Sequence, residues 1–507
     1  MDNSSRVAVN TIILYTRLVI TALIALYSVR IILAALGAED YGIYNVVGGV
    51  IAMLGFIQST LSSTTIRFIS VNQGTHDVAK VRDAFRKCFH LHFIIGLLLS
   101  ISLAIVGLFL FDGFLNIPEN RVHSAKIVYY FMCCTVFLSV VVTPFSALII
   151  SHEKFIYTAF ISVLDAVLKL GIAFYITYTS HDKLIAYGLL MALVTVLNVV
   201  LYLIYVLKNY RDEVEVSNFS VKGLGEVTQF AGWTMLVTVG FTLSRQGFVI
   251  LLNKFFGAIV NAAYALAGQI EGYLDMIAST VGAAIKPQIM KSYGEGDLNR
   301  MFRLSFTSGK IGVSMMCLLA LPMIVLMPDI LDLWLKEIPE GTVIFARLII
   351  VACMANQLTA GISNANSAIG KIKVFSIVVS VSRTLALPVA WVFLRLGYSA
   401  YVAVGIYTLF EVITSLCRVV VLVRQNGLNF NLFFKDVFFR MAPPICVSLL
   451  VGIILARFVH HNLIWMCIIT VTMLVAYIAL MYLMGLSEYE KDIIKGMIGK
   501  FKSRLKK

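Results

Sequence analysis

Long apolar runs, separated by short polar loops, occupy almost the whole of this chain. A helix that crosses a bilayer needs about 20 consecutive, mostly apolar residues, and these runs reach that length. Because lipid offers no hydrogen-bonding partner to an exposed backbone, such segments must be helices. The pattern predicts about fourteen spans. They lie at 8–36, 42–66, 89–111, 124–150, 156–178, 184–207, 227–253, 259–285, 304–327, 342–369, 374–394, 399–423, 441–459 and 462–485.

Lysine and arginine are unevenly distributed between the two sets of loops that these spans create. One set, together with both chain ends, holds about 27 basic residues, whereas the other holds about 7. Loops rich in lysine and arginine stay in the cytoplasm during insertion. The bias persists along the whole chain. A missed or invented span would reverse the bias in all the loops that follow it. It predicts a multi-pass protein with both termini in the cytoplasm.

The composition is that of a chain whose surface is covered by lipid. Of its 507 residues, 60% are hydrophobic and 13% are charged, whereas soluble proteins have roughly a quarter charged. The formal net charge of +14 reflects membrane topology, so it does not predict a nucleic-acid partner. The eight cysteines form no CxxC motif and no Cys/His cluster. We expect them to pack as small apolar side chains, with no metal site.

Two stretches of the chain match at a constant offset. Residues 36–49 are LGAEDYGIYNVVGG, and residues 256–269 are FGAIVNAAYALAGQ. At this offset the identities are Gly37 with Gly257, Ala38 with Ala258, Tyr44 with Tyr264, Gly48 with Gly268, Ser59 and Thr60 with Ser279 and Thr280, Gly74 with Gly294, and Asp77 with Asp297. The repeat relates span 1 to span 7, and an even number of intervening crossings keeps the orientation. It is therefore parallel, with its pseudo-twofold axis along the membrane normal.

The repeat predicts an all-α membrane protein with two pseudo-symmetric six-helix lobes and two C-terminal helices. The predicted boundaries are 1–220 for the first lobe, 221–436 for the second, 437–486 for spans 13 and 14, and 487–507 for a basic tail. The tail has apolar residues at helical spacing: Ile493, Ile494, Met497, Ile498 and Phe501. This pattern is typical of an amphipathic helix that lies on an anionic membrane surface.

Three segments of this plan resemble a known family. They are LGAEDYGIYNVV in the first lobe, with AYALAGQI and AIKPQIMKSYGEGD in the second. They resemble the Wzx-type flippases for polysaccharide or lipid-linked oligosaccharide, which belong to the multidrug/oligosaccharidyl-lipid/polysaccharide exporter superfamily. The resemblance implies a bacterial inner-membrane protein with two lobes around a central cavity. By alternating access, it would move an undecaprenyl-pyrophosphate-linked oligosaccharide, such as an O-antigen (lipopolysaccharide) or capsule repeat unit, from the cytoplasmic to the periplasmic leaflet.

The expected partners are this lipid-linked pyrophosphate, membrane lipid, and polysaccharide polymerase or assembly proteins, with the protein itself a monomer. Ionisable residues within spans are candidates for function, because burying a charge in lipid is costly. Arginine binds phosphate through two parallel hydrogen bonds. The candidate substrate-binding cations are Arg17 near the middle of span 1, Arg245 in span 7, Arg383 in span 11, and Arg30 near the outer end of span 1.

Two of these assignments have alternatives. Arg30 lies where a long side chain can reach the interface, and this snorkelling is an equal explanation for it. Arg17 would instead form a structural pair if a buried acid such as Asp165 lay beside it. Asp165 and Lys169, spaced i,i+4, are predicted to form a structural pair. Lys310 lies about two turns from the cytoplasmic end of its span and is predicted to snorkel.

Glu271 and Asp275, spaced i,i+4 in span 8, would repel each other if both were ionised. One should be protonated, or a cation should lie between them, so they are the candidate site for a coupling ion, H⁺ or Na⁺. No other cofactor is expected. The alternative is that one of the two acids pairs with Arg245 or Arg383 across a helix interface.

Three functions remain open. A flippase is favoured, because spans 1 and 2 contain arginine and no acid. An ion-coupled multidrug antiporter of the same superfamily would want acids there, although Glu271 and Asp275 favour it. A membrane glycosyltransferase or polymerase is a remote third, since the outer loops are too short for a catalytic loop. The chain has no P-loop, GxSxG or HExxH motif, so no catalytic residue is assigned and no enzyme is expected.

Overall fold

A computed structural model describes residues 3–52, 55–111, 117–217, 223–335, 338–426, 428–458, 462–488 and 490–491. Every regular element in these ranges is helical. The helices are α1 Asn3–Ala52, α2 Gly55–Gly74, α3 Val78–Phe109, α4 Val122–Ser151, α5 Phe155–Tyr178, α6 Lys183–Asn209, α7 Leu224–Gly294, α8 Leu298–Val325, α9 Met327–Trp334, α10 Thr342–Leu358, α11 Ala360–Ile369, α12 Ile372–Arg395, α13 Ala400–Asn426, α14 Phe430–Phe433, α15 Phe439–Phe458 and α16 Leu463–Leu480.

Twelve helical segments in the described part of the chain are long and apolar enough to cross a membrane. Each overlaps one of the predicted spans, which confirms an all-α, multi-pass membrane protein. The two remaining predictions, 42–66 and 259–285, fall largely on helices α1, α2 and α7. These segments are richer in polar residues, and Thr60, Thr64 and Thr65 are buried in the first of them. The count of fourteen spans stays a prediction.

Gly37 and Gly257, matched by the sequence repeat, bend the two longest helices at equivalent places. Gly37 has φ 78° and ψ 167°, and Gly257 has φ 76° and ψ −164°. This backbone region is open essentially to glycine alone. Each bend separates an apolar spanning segment from one of the two more polar segments. The repeat therefore preserves a backbone break as well as residue identities.

The next shared feature of the repeat is a turn followed by a capped helix. Helices α2 and α7 end at Gly74 and Gly294. Asp77 then caps α3 by accepting from the backbone N–H groups of Ala79 and Lys80. The matched Asp297 caps α8 by accepting from the N–H of Arg300. An aspartate at this position satisfies backbone donors that the first helical turn leaves unpaired.

Alanine at Gly37 or Gly257 should destabilise the protein, because a Cβ in this backbone region costs about 1–3 kcal/mol. Neither site is crowded, since an added Cβ would meet no atom within 4 Å, so the effect should come from backbone strain. The measurement is the melting temperature of purified protein in detergent. Gly42→Ala and Gly272→Ala are matched controls, because they lie in helix without positive φ and with the same open space. Equal melting temperatures for all four variants would contradict the bend.

The chain divides into two compact units, here called the N-unit, Val9–Met235, and the C-unit, which consists of Met1–Ala8 and Leu236–Lys507. In the N-unit, α1, α3, α4 and α6 share a core that includes Val47, Leu103 and Tyr129. In the C-unit, α7, α10 and α13 share a core that includes Phe248, Phe345 and Tyr407. The predicted domain boundaries at 220, 436 and 486 stay a prediction.

The beginning of the tail is fixed to the C-unit by a buried ion pair. Lys310 Nζ in α8 lies 2.5 Å from Glu490 Oε2, and both side chains are less than a tenth exposed. The prediction that Lys310 snorkels is therefore wrong, because its charge is neutralised inside the protein. Glu490 also accepts from the Ser487 N–H and hydroxyl, in the arrangement of a helix capping box. Burial raises the pKa of Glu490, but Lys310 and Ser487 outweigh it and hold the pKa below its ordinary value. The rest of the predicted amphipathic helix, 492–507, lies outside the described residues.

Candidate functional site

Glu271 lies in a polar cluster inside the C-unit. Its side chain is buried, and its Oε2 lies 3.6 Å from Nη2 of Arg245, one of the candidate substrate-binding cations. The same nitrogen of Arg245 donates to the Gly268 carbonyl at 2.9 Å. Tyr407 of α13 donates its hydroxyl to Glu271 Oε1 at 3.3 Å. Of the alternatives left open by the sequence, the pairing of Glu271 with Arg245 is therefore present.

Asp275 lies one helical turn after Glu271 but does not share its contacts. It is half-buried and makes no hydrogen bond or ion pair with any residue that the structure describes. The charged groups that act on it electrostatically are Arg245, Glu411 and Arg383. The two predicted acids are thus inequivalent: Glu271 has a cationic partner in contact, and Asp275 has none. Asp275 is consequently the better placed of the two to take up a proton or a metal cation.

Arg383, predicted to face the substrate, is held by Glu411. Its Nε lies 2.8 Å from Glu411 Oε1, and its Nη2 donates to Glu411 Oε2 at 2.9 Å. Both side chains are nearly fully buried. The guanidinium also lies 5.0 Å from the Phe241 ring centroid and 3.3 Å, through Nη2, from Asn356 Oδ1. The positive charge of Arg383 is therefore already neutralised inside the C-unit by Glu411.

Arg418 of α13 is also buried in this unit. Its Nη1 donates to the Asn356 carbonyl at 3.2 Å and to the Thr359 hydroxyl at 3.1 Å. These acceptors lie where α10 ends and α11 begins. The Asn356 carbonyl also accepts from the N–H and the hydroxyl of Thr359, so the guanidinium adds a third donor where α10 ends. Its position indicates a structural role.

Breaking the Arg383–Glu411 pair should strongly destabilise the protein. Removing one partner of a buried pair typically costs about 3–5 kcal/mol, because the other charge is left buried alone. We expect Arg383→Met and Glu411→Leu each to lower the melting temperature and the yield of folded protein. The double variant should recover most of the loss. Arg395→Met, at the exposed end of the same helix, is the control, and a double variant no better than either single variant would contradict the pairing.

In the N-unit, Arg17 has no acidic partner among the described residues. The half-buried arginine lies in α1, close enough to Tyr202 of α6 for an electrostatic interaction. Asp165, its possible partner, lies 2.8 Å from Lys169 Nζ and accepts from Asn198 Nδ2 at 2.8 Å. The predicted Asp165–Lys169 pair is therefore confirmed. The alternative pair of Arg17 with Asp165 does not form in this structure.

A second unsatisfied polar group lies on the same helix as Tyr202. The Asn198 side-chain oxygen is buried and has no hydrogen-bond partner among the described residues. Buried polar atoms are nearly always hydrogen-bonded, and an exception needs an explanation. Arg17 offers donors and Asn198 an acceptor, as a phosphate or sugar hydroxyl would require. Arg30 is exposed and forms no ion pair with a described residue, so its role stays a prediction.

The sequence analysis missed a cluster of charged residues in the N-unit, which contains Arg121, Asp40 and Asp182. Arg121 donates through Nε to Asp40 at 2.7 Å and through Nη1 to Asp182 at 2.9 Å. Asp182 caps α6 through the backbone N–H groups of Leu184 and Ile185. Burial raises its pKa, but the Ile185 N–H, the Ser124 hydroxyl and Arg121 hold it below its ordinary value. The cluster ties the bend at Gly37 to α4 and α6.

Comparison with known proteins identifies a family and a fold. Residues 7–293 match the sequence profile of a family described as polysaccharide biosynthesis protein, and no curated protein sequence matches significantly. Similar solved structures include a MATE in the bent conformation, with a TM-score of 0.72, 16% identity, and 82% of this chain and 94% of that chain covered.

An outward-facing multidrug resistance MATE family transporter of the MOP superfamily has a TM-score of 0.68, with 17% identity over 83% of this chain and 94% of that chain. A MOP superfamily transporter from Pyrococcus furiosus Vc1 is described as having a binding pocket of reverse polarity. It has a TM-score of 0.68, with 15% identity over 82% of this chain and 94% of that chain. At these identities the likeness shows the fold alone. Both of these neighbours are described as transporters. Because the profile covers more than half of the chain, this protein belongs to the polysaccharide biosynthesis protein family, built on the fold of the MOP superfamily transporters.

Proposed function

We propose that the protein is a flippase that moves an oligosaccharide linked to undecaprenyl pyrophosphate across the bacterial inner membrane, from the cytoplasmic to the periplasmic leaflet. The family points to polysaccharide biosynthesis, and the fold points to transport. The observation that carries the choice of substrate is Arg17, a half-buried cation that no acid neutralises within the described residues. Such a cation attracts a pyrophosphate and repels a cationic drug.

Ion coupling is the second part of the proposal. Asp275 lacks a contacting partner, and Glu271 one turn away is in contact with Arg245. Binding H⁺ or Na⁺ at Asp275 would remove an uncompensated charge from the C-unit interior, where it is costly. Ion binding could in this way favour one conformation of an alternating-access cycle over another.

A multidrug antiporter is the competing function, and the same Asp275 favours it, because an unpaired acid would also attract a cationic drug. Two solved neighbours bear on the choice. One is described as a multidrug resistance transporter. The other, from Pyrococcus furiosus Vc1, is described as having a pocket of reverse polarity that suggests a different function. The charge of the pocket is therefore the property to test here.

The direct test is transport by purified protein in proteoliposomes. One set of vesicles contains a fluorescent oligosaccharide on a polyprenyl pyrophosphate, and a second contains a cationic dye such as ethidium. A flippase should move the first between leaflets and leave the second unmoved at every imposed pH or Na⁺ gradient. Gradient-driven dye export without movement of the lipid-linked sugar would support the antiporter and contradict the flippase.

The proposal keeps the predicted topology, with both termini in the cytoplasm. Because of the basic bias of one set of loops, reporter fusions at Lys80, Arg211, Arg300 and the C-terminus should all report the cytoplasm. A fusion after His181, between α5 and α6, should report the periplasm and serves as the control. A periplasmic signal at any of the first four sites would break the assignment.

A further inference from the structure

Residues 210–215, here called the strap, begin the connection from α6 to α7 and lie against one end of the N-unit. Tyr210 and Val214 pack against a core formed by α2, α3, α4 and α6, which includes Phe85. The Tyr210 ring also stacks on the imidazole of His152, just after α4, with 4.0 Å between the ring centroids and 11° between the ring planes. On the topology predicted from the loop charges, this end of the N-unit faces the cytoplasm.

Two arginines of α3 hold the strap by contacts that do not depend on pH. Arg82 Nε donates to the Asp212 carbonyl at 2.7 Å, and Arg86 Nη1 lies 4.0 Å from Glu215 Oε1. Arginine keeps its charge throughout the physiological range. These contacts therefore position the strap equally well in acidic and in alkaline solution.

His152 and Glu213 make the contact that can respond to pH. His152 Nε2 lies 2.9 Å from Glu213 Oε2, and the two side chains are 23% and 16% exposed. Gln73 of α2 donates its side-chain N–H to the same oxygen at 3.5 Å. Histidine changes its charge between about pH 5 and 8. Protonation of His152 adds an attraction between opposite charges to the hydrogen bond that the neutral imidazole can donate.

The other titratable groups on the elements around this pair are of types that keep one charge state between pH 6 and 8. They are Arg82, Asp83, Arg86 and Lys87 on α3, Glu153, Lys154 and Tyr157 after α4, Tyr205 and Lys208 on α6, and Tyr210, Arg211, Asp212 and Glu215 in the strap. Burial raises the pKa of Tyr210 to about 12, still further from neutrality. His76 also titrates, but it is exposed in the turn after α2.

We propose that His152 and Glu213 form a pH-sensitive latch that fastens the strap to the N-unit most firmly when the cytoplasm is acidic. Protonated His152 pairs with the Glu213 carboxylate, and the pair weakens as the pH rises and the imidazole loses its charge. Because the strap lies between α6 and α7 in the chain, loosening it lengthens the free part of that connection. An effect of the latch on turnover rests on the function proposed above, whereas the attachment of the strap does not.

The latch is tested by hydrogen exchange on the full-length protein in detergent, at pH 6 and pH 8, with rates corrected for the intrinsic pH dependence of exchange. The amides of Glu213 and Val214 are the probes, because they donate to the Tyr210 and Arg211 carbonyls within the strap. Their protection should be about threefold higher at pH 6, as expected for a partly exposed ion pair. The amides of residues 295–297, in a loop whose sequence contains no histidine, are the internal control and should show equal protection.

Variants assign the effect to the pair. His152→Gln can still donate a hydrogen bond to Glu213 but cannot take up a proton, so protection of the strap should become independent of pH. His76→Asn, the matched control, removes the neighbouring histidine and should leave the difference intact. If His152→Gln does not elute as folded protein, Glu213→Gln replaces it, because it removes the carboxylate and keeps a hydrogen-bond acceptor. Equal protection of the wild-type strap at both pH values, or a difference that survives in the His152 or Glu213 variant, would overturn the proposal.

Transport is measured separately, in proteoliposomes with the same pH on both sides, so that no proton gradient acts on Asp275. Wild-type turnover at pH 6 relative to pH 8 should be lower than that of His152→Gln, because the strap of the wild type is held more firmly in acid. Identical ratios for the two proteins would overturn the role of the latch in transport. A strap that responds to pH in a protein that moves no lipid-linked sugar would contradict the proposed function and support the latch.

Discussion

Replacing Arg17 by alanine or glutamine should abolish transport of the lipid-linked oligosaccharide and leave the amount of folded protein unchanged. An arginine fork makes two hydrogen bonds to a phosphate, and hydrogen bonds to charged groups contribute about 1.5–3 kcal/mol each. Losing both corresponds to a fall in turnover of more than a hundredfold, since about 1.4 kcal/mol is a factor of ten. The measurement is leaflet-to-leaflet movement in proteoliposomes at limiting substrate.

Stability should survive this change because the substitution leaves no acid without a partner. Asp165 is already satisfied by Lys169 and Asn198. A buried cation without a counter-ion costs about 2.5–3.5 kcal/mol near the middle of a membrane helix, so alanine should if anything raise the melting temperature. This expectation is opposite in sign to that for Arg383, whose removal strands Glu411.

The variant Arg17→Lys distinguishes the effect of the positive charge from that of the guanidinium geometry. It keeps the cation and loses the planar fork, so we expect partial activity, between the wild type and Arg17→Gln. Arg395→Gln, which removes an exposed arginine from the end of α12, is the control and should transport normally. A stable and fully active Arg17→Ala protein would remove Arg17 from the mechanism. Rescue of a destabilised Arg17→Ala by Asp165→Asn would instead reveal a structural pair that forms in another conformation.

The features predicted well from the sequence are those that depend on neighbouring residues. Hydrophobic runs located the helices, because the cost of placing a residue in lipid depends mainly on that residue and its local segment. The repeat matched Gly37 with Gly257, and the structure shows a bend at each of them, because only glycine adopts that backbone conformation readily. The i,i+4 spacing of Asp165 and Lys169 located an ion pair, because helix geometry alone brings them together.

Such patterns do not identify partners on different helices, and the sequence left the pairing of Glu271 with Arg245 only as one alternative. Arg383 and Glu411 meet because α12 and α13 pack with those faces together, and the rotation of a helix about its axis is set by all of its contacts. Lys310 was expected to reach the interface, yet its partner Glu490 lies at the far end of the chain. The residues next to Glu411 and Glu490 in the sequence do not indicate which cation each acid pairs with. The sequence thus locates the charged residues inside a membrane protein, whereas the structure is needed to identify the residue of opposite charge that each one contacts.

The same distinction gives the two acids of α7 different expected roles. Asp275→Asn should lower gradient-driven turnover by roughly tenfold or more, equivalent to about 1.4 kcal/mol in the barrier, and it should remove the dependence on pH or Na⁺. An amide keeps the size of the side chain but can take up neither a proton nor a compensating cation charge. Affinity for the lipid-linked substrate, measured without a gradient, should be nearly unchanged, because substrate binding is assigned to Arg17.

Glu271→Gln should act mainly on stability, because Glu271 contacts Arg245 and Tyr407. The amide can still accept from the Tyr407 hydroxyl, but Arg245 loses its counter-charge and keeps the Gly268 carbonyl as its hydrogen-bond acceptor. The melting temperature should therefore fall, while the response of the remaining activity to pH or Na⁺ persists. If both amide variants keep the wild-type dependence on pH and Na⁺, the two acids are structural and coupling lies elsewhere. If Glu271→Gln alone abolishes that dependence, the coupling site is Glu271, and the absence of a contacting partner at Asp275 has no bearing on transport.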